Sequence, residues 1–356
     1  MTKDIKPFIK DAIELLKQLI SVPSFSKEES GTAALLASFL QKKGIDFERK
    51  GNNIWAFNQY KEDGKPCILL NSHHDTVKPN TGYTRDPFKP DVEDGKLYGL
   101  GSNDAGGCLV SLLACFLYYY EQPDLAYNIC ILASAEEEIS GKNGVESVIK
   151  YIEGIDFAIV GEPTQLNLAV AEKGLMVLDC EALGVAGHAA RGEGENALYK
   201  ALDAVEWFRK FEFPKTSEFL GPIKMTVTLI NAGTQHNVVP ARCTFVVDVR
   251  TTDVYSNQEV LDLIKKNVDV SVTPRSTRLN PSTISTDHPI VSAGIALGAK
   301  MYGSPTMSDQ ALIPYPSIKV GPGDSARSHA ANEYIFLKEV EEGVVFYINL
   351  LKQIII

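Results

Sequence analysis

The chain has 356 residues, of which 44% are hydrophobic and 22% charged, and a formal net charge of −10. That length exceeds the roughly 250–300 residues at which single cores stop growing, so two domains are expected. An acidic balance lacks the electrostatic footprint of a nucleic-acid binder and of a polybasic membrane contact, and both partners are excluded. The opening MTKDIKPFIK carries no apolar h-region. No run of about 18 apolar residues occurs, so neither a secretory signal nor a membrane span is expected. Six scattered cysteines without a CxxC pair read as reduced core residues, and a cytoplasmic location follows as an expectation.

Apolar spacing predicts helices over Lys10–Leu19 and Thr32–Leu40. Short apolar strands are expected at Asn53–Asn58, Cys67–Asn71, Asn128–Ser134 and Phe157–Val160, with a helix over Gly106–Tyr119 between the second and third. The second and third strands are nearly continuous apolar runs, the pattern of strands buried on both faces. Helices alternating with such strands imply an α/β layered domain. After about Lys173 the pattern changes. Leu175–Leu183, Ile223–Leu229 and Cys243–Arg250 tend to alternate apolar and polar residues, as in an antiparallel sheet with one covered face. Helical patterns at Glu195–Lys210 and Ser256–Asn267 lie between them, which is the ferredoxin-like order. Around Ser285–Pro289 the α/β character resumes, with helices expected over Ile290–Tyr302 and Leu337–Ile355. The expected fold class is α/β: a larger α/β domain (1–174 and 286–356) with a central mixed sheet, and an inserted ferredoxin-like α+β domain (175–285).

Five stretches hold candidate chemistry. In CILLNSHHDTV, His73 and Asp75 fall on one side of an extended strand and His74 on the other. His73-x-Asp75 at a strand's carboxyl end suits a metal ligand with its orienting carboxylate, or a polar strand terminus entering a loop. In GLYGLGSNDAGG, Asp104 precedes a helix, either as an N-cap or as a carboxylate given unusual backbone freedom by Gly106 and Gly107. In ILASAEEEISG, three successive glutamates follow a buried strand. They form a solvated loop, or a cluster whose repulsion cations offset. Glu162 in AIVGEPTQ and His329 in GPGDSARSHAANEY complete the set. Two histidines with several carboxylates suit Zn²⁺ or its neighbours, and a bridging carboxylate would suit a two-metal hydrolase.

The succession SHHDTV, GSNDAGG, AEEEISG, VGEPT, GVAGHAA and SHAANEY resembles the zinc amidohydrolase family of aminoacylase, acetylornithine deacetylase, succinyl-diaminopimelate desuccinylase and carboxypeptidase G. The resemblance spans nearly the whole chain. It implies two zinc ions per subunit, with Co²⁺ or Mn²⁺ as substitutes. His73 would ligate one ion with Asp75 orienting it, and His74 would be a bystander. Asp104 would bridge the ions, Glu162 would complete the first site, and Glu138 and His329 the second. Glu137 would be the general base. A cis peptide after the bridging aspartate, Asp104–Ala105, is implied too. In the inserted domain, His188 matches a histidine that stabilises the oxyanion, commonly from a partner subunit, while Asn237 and Arg250 match substrate-holding residues. The chain departs from the family after His188, where Ala-Ala-Arg191-Gly stands in place of a nearby proline.

The stretch SDQALIPYPSIKVGPGDSARSH looks most like the acetylornithine deacetylase branch. The resemblance therefore implies an N-acyl amino acid substrate, with acetyl or succinyl removed from the α-nitrogen of ornithine or citrulline in arginine biosynthesis. It also implies a homodimer formed through the inserted domain. A di- or tripeptidase of the same family is the alternative, and a metal-free binding or regulatory relative a third reading. Arg191 and Arg327 are extra cations that suit a succinyl carboxylate or, as the favoured reading, are surface arginines.

Overall fold

A computed structural model of the protein describes residues 3–356. The chain divides into two compact units: residues up to Val170 with Thr283–Tyr302 and Ser308–Ile356, and Ala171–Ser282 with Gly303–Met307.

The first unit is built on a mixed sheet. Its strands run in the spatial order Glu48–Lys50, Asn53–Phe57, Asn128–Ser134, Cys67–His73, Ile155–Val160, Ser317–Lys319 and Leu168–Glu172, the last of which leads into the second unit. Cys67–His73 lies parallel to both its neighbours, with Leu70 opposite Ile131 on one side and Ile159 on the other. Every residue of Cys67–His73 and of Asn128–Ser134 is buried, which explains their unbroken apolar runs. Side chains alternate between the faces. Cys67 and Leu69 join Trp55, Cys130, Leu132, Val145 and Val148 in one apolar cluster. The helix Gly107–Tyr119 is buried almost throughout and packs against Lys6–Ile20 and Leu337–Ile355.

The helix expected over Ile290–Tyr302 is shorter, Pro289–Ala296, and a strand, Met301–Ser304, follows it. Glycine is the reason. Gly298 adopts φ +92°, and the Ala299 N–H turns back to the Gly294 carbonyl, a six-residue closure that satisfies the helix's orphan acceptor and stops it. An apolar run does not register such a stop.

In the second unit, four antiparallel strands take the order Lys224–Ala232, Arg242–Thr251, Gly174–Leu183, Ser271–Pro274. With helices Ala197–Lys210 and Asn257–Asn267 they follow the chain order strand–helix–strand–strand–helix–strand, a ferredoxin-like arrangement. The helices cover one face, where Leu178, Phe245 and Val247 meet Ala201, Phe208 and Ile264. Asn196 caps the first helix by accepting from the Leu198 N–H, and Ser256 and Glu259 form a capping box on the second. All six cysteines are unpaired and buried. Among the described residues no helix is long and apolar enough to cross a membrane.

The central strand's packing gives a direct expectation. Leu69→Ala, at a fully buried position, should destabilise the protein by about 2–5 kcal/mol through lost transfer energy and the residual cavity. Urea unfolding would show an earlier transition; an unmoved midpoint would contradict this account of the core.

Candidate metal centre

Three parallel neighbours end side by side, and each end delivers a polar group. His73 closes its strand opposite Ser134. Glu137 and Glu138 follow Asn128–Ser134, and Glu162 follows Ile155–Val160. Residues beyond the carboxyl ends of adjacent parallel strands share one crevice. Asp104 enters from the loop before the Gly107 helix. This loop carries Gly99 at φ +146°, Gly101 at φ +75° and a cis Asp104–Ala105 peptide. The Asp104 side chain does not cap the helix; it faces the crevice. His329, at φ +58°, comes from the loop before Tyr334–Phe336.

The distances define two half-sites. His73 Nε2 lies 3.3 Å from Asp104 Oδ1, 3.7 Å from Glu162 Oε1 and 3.9 Å from Glu137 Oε2. His329 Nε2 lies 2.9 Å from Glu138 Oε2 and 3.7 Å from Asp104 Oδ2. The two Asp104 oxygens thus address different imidazoles. Ligand atoms of His73, Asp104 and Glu138, and of His73, Glu137 and Glu162, come within 4.8 Å of one another. Donors at roughly 2.0–2.1 Å from one tetrahedral ion lie about 3.3 Å apart, so the spacing around His73 fits a small divalent cation.

Second contacts fix these groups. The His73 Nδ1–H donates to the Asp75 backbone carbonyl at 3.0 Å, leaving Nε2 directed at the carboxylates. The Asp75 carboxylate is 3.5 Å from Nδ1. Its stronger bonds go elsewhere: it accepts from the Ser26 hydroxyl at 2.7 Å and from the N–H groups of Glu137 and Glu138 at 3.1 and 3.2 Å. Asp75 therefore holds the glutamate turn as well as standing behind His73. His74 points away. Its Nε2–H donates to the Asn52 carbonyl at 2.9 Å, and its Nδ1 is 2.9 Å from the Thr32 hydroxyl.

The glutamate run splits. Glu136 sits at φ +56°, and its carboxylate accepts from Asn143. Gly141 closes against it so tightly that a Cβ there would come 1.9 Å from Glu136 Oε2. Glu137 and Glu138 turn into the crevice.

The electrostatics are those of a buried acidic cluster. Burial pushes Glu162 up to about 8, with Asp104 and Glu138 adding to it against His73 and Lys319. Burial also raises Glu137, opposed by His73 and reinforced by Glu162, Asp309 and Glu138. Burial alone would lower His73, but Glu137, Asp104, Asp75 and Glu162 outweigh it and raise it. The Glu138 hydrogen bond leads in lifting His329 to about 9. Four carboxyl groups around two imidazoles thus retain protons that a bound divalent cation would displace.

Two further buried carboxylates had no sequence signal of a role. Asp309 accepts from the Ser134 hydroxyl at 2.6 Å and from Asn71 at 2.8 Å, and burial lifts it to about 6. Glu333 accepts from three backbone N–H groups of the Asp104 loop. It lies in the SHAANEY stretch, yet only the histidine of that stretch was singled out. Arg327 is not a surface arginine. It forms a two-point bond with Glu339 at 2.9 and 2.6 Å and lies over the Tyr334 ring, which occupies its charge.

The remaining sequence candidates lie in the second unit. His188 Nδ1 accepts from the Ala190 N–H, and the Ala189 N–H donates to the Asn237 carbonyl at 3.0 Å, so the His188 and Asn237 backbones adjoin. Arg191 ends that short turn. Arg250 is half-buried and holds Asp248 at 2.9 and 3.2 Å.

The model of peptidase family M20/M25/M40 matches residues 69–353. The chain belongs to this family. Solved structures share the fold. Aminopeptidase PepT from Bacillus cereus ATCC 10987 is 16% identical with a TM-score of 0.77, over 97% of this chain and 98% of that one. A tripeptidase from Staphylococcus aureus subsp. aureus Mu50 is 20% identical with a TM-score of 0.76, over 97% and 98%. A Bacillus subtilis protein described as a dinuclear metal-binding peptidase of the M20 family is 15% identical with a TM-score of 0.75, over 97% and 98%.

The cluster predicts how the metal-free chain responds to pH. Glu162 rises from 4.5 to about 8 on folding and His329 from 6.5 to about 9, so the folded chain holds protons that the unfolded chain releases. Their contribution is present at low pH and lost as pH rises through those values. The melting temperature of chelator-treated protein should therefore fall between about pH 6 and pH 9, and Zn²⁺ should flatten that fall. A melting temperature that rises over this window would contradict the charge assignment.

Proposed function

We propose that this M20-family hydrolase cleaves an amide bond, removing an acetyl or succinyl group from the α-nitrogen of an amino acid, with ornithine or citrulline as that amino acid and arginine biosynthesis as its setting. The observation that supports hydrolysis is the convergence of His73, Asp104, Glu137, Glu138, Glu162 and His329 at the ends of three parallel strands and their flanking loops. The substrate rests on the motif resemblance of the 308–329 stretch.

In this reading His73, Asp104 and Glu162 would hold one divalent ion, and His329, Glu138 and Asp104 a second, with zinc as the metal. Bound there, such ions supply Lewis acidity toward the amide oxygen and lower the pKa of water. Glu137 accepts the proton of the attacking water on its carboxylate and delivers it to the leaving amine nitrogen. Its burial and acidic neighbours make it a better base than an exposed carboxylate. Asp75 keeps Glu137 and Glu138 in place through their N–H groups. His188, Asn237 and Arg250 keep the roles that the resemblance implies, oxyanion donor and substrate contacts. Arg250 would exchange part of its Asp248 bond for a substrate carboxylate.

A di- or tripeptidase is an equally supported second reading, because proteins described as an aminopeptidase and a tripeptidase share the fold. A metal-free binding role is disfavoured by the presence of every candidate ligand and of the base.

The deciding assay measures amine release from N-acetyl and N-succinyl ornithine, citrulline, lysine and diaminopimelate, beside di- and tripeptides, with Zn²⁺ and a chelator control. Chelator-sensitive turnover of an acyl amino acid supports the first reading; faster turnover of peptides transfers the assignment to the second. Glu137→Ala should lower turnover by about 10²–10⁴-fold while metal content stays at wild type. Loss of metal in that variant would reassign Glu137 as a ligand.

We also propose that two copies pair through the second unit. The edge strand Lys224–Ala232 exposes Leu229 and Ile230, and helix Ala197–Lys210 exposes Tyr199 and Leu202. Exposed apolar groups along an unpaired strand edge suit a self-complementary contact. Light scattering should report a dimer that Leu229→Asp converts to monomer; a monomeric wild type rejects the pairing.

A further inference from the structure

Resting on the reading of the centre as a two-ion site, we propose that Glu333 is the positioning residue for the bridging carboxylate of Asp104, so that its loss weakens both ion sites together. Glu333 is 2% exposed. One of its carboxylate oxygens accepts from the Asn103 N–H at 2.8 Å and the Asp104 N–H at 2.9 Å, and the other from the Gly101 N–H at 3.1 Å. Its own backbone carbonyl accepts from the Gly99 N–H at 3.0 Å. The Gly99–Asp104 loop therefore wraps one buried side chain and its main chain.

The loop needs such a template. Gly99 and Gly101 take φ values of +146° and +75°, which side chains rarely adopt. In this loop the N–H groups of Gly101, Asn103 and Asp104 turn toward the Glu333 side chain, while that of Ser102 bonds to the Gly99 carbonyl. Buried donors without acceptors are costly. A single carboxylate satisfies three of them. Asn103, between two of these donors, is tied on its side-chain end: its amide donates to the Asp324 carbonyl at 3.1 Å, and its Oδ1 accepts from the Asp324 N–H at 3.0 Å.

Position makes this more than loop stability. Glu333 lies four residues after His329 in the chain. It therefore ties the segment carrying His329 to the loop carrying Asp104. The two Asp104 oxygens stand 3.3 Å from His73 Nε2 and 3.7 Å from His329 Nε2. Asp104 stands within 3.7 Å of both imidazoles, whereas Glu162 stands 3.7 Å from His73 and Glu138 2.9 Å from His329. A shift of the Asp104 backbone therefore misplaces a donor in both half-sites. Residues behind metal ligands typically change affinity by about 10–100-fold when altered.

The test is Zn²⁺ competition against a chromophoric chelator, using the full metal-stripped chain, with wild type, Glu333→Gln, Glu333→Asp and Glu339→Gln. The glutamine keeps the shape but turns a donor toward at least one N–H. Glu339→Gln is the comparison, since Glu339 also accepts a backbone N–H, from Phe336 at 2.9 Å, and holds Arg327 in the segment of His329, but has no hydrogen bond to the Asp104 loop. The expected result is a loss of about 10–100-fold at both binding steps in Glu333→Gln, a smaller loss at both in Glu333→Asp, and in Glu339→Gln a loss confined at most to the one step that uses His329. Wild-type affinity at either step in Glu333→Gln overturns the inference. Should that variant fail to fold, Glu333→Asp decides in the same way: weakening at both steps supports the role, and unchanged affinity removes it. A wild-type chain that takes up no Zn²⁺ overturns the two-ion reading itself, which separates that failure from the failure of Glu333.

Discussion

The burial of several carboxyl groups together is the constraint on which the rest of this protein depends. Asp104, Glu137, Glu138 and Glu162 meet around His73 and His329, and burial lifts Glu162 to about 8. Left to itself such a cluster would open toward water. It is held in place because the backbones of Asp104, Glu137 and Glu138 are gripped from behind by Glu333 and Asp75, and its donor set suits a divalent cation. The continuous apolar burial of Cys67–His73 and Asn128–Ser134 supplies the rigidity.

The same device recurs behind the centre: a buried carboxylate that accepts backbone N–H groups and so shapes a turn. Asp75 holds the turn at Glu137 and Glu138. Glu29 accepts from the Lys27 and Glu136 N–H groups and from the Asn52 amide. Glu333 holds the loop at Asp104. A carboxyl group offers two oxygens with several lone pairs, so one side chain accepts from several donors at once. The protein thus uses acidic residues in two ways, facing the crevice and supporting it. The second group is invisible to any count of ligands.

Much of the architecture was legible because burial writes itself into composition. Apolar runs without alternation marked the strands buried on both faces, and alternation marked the covered sheet of the second unit, from Gly174–Leu183 to Arg242–Thr251. The helix expected to reach Tyr302 was misjudged because apolar content persists past Ala296, while a left-handed Gly298 and its backbone closure stop the helix. Arg327 was misjudged for a related reason. Its partner Glu339 lies on the first turn of the last helix, and no local pattern joins the two.

By itself the sequence determined which residue types were available and at which strand ends they would stand. Side-chain alternation put His73 and Asp75 on one side and His74 on the other, because that follows from the geometry of a single extended strand. The resemblance already set Glu137 and Glu138 apart from Glu136, and the tertiary structure supplied the physical reason: Glu136 is held by Asn143, while the Glu137 N–H is held by Asp75. Only the tertiary structure showed that Asp75 spends its carboxylate mainly on a neighbouring turn, and that Glu333 supports Asp104. Those choices rest on hydrogen bonds between segments as many as 232 residues apart, which chain spacing does not encode.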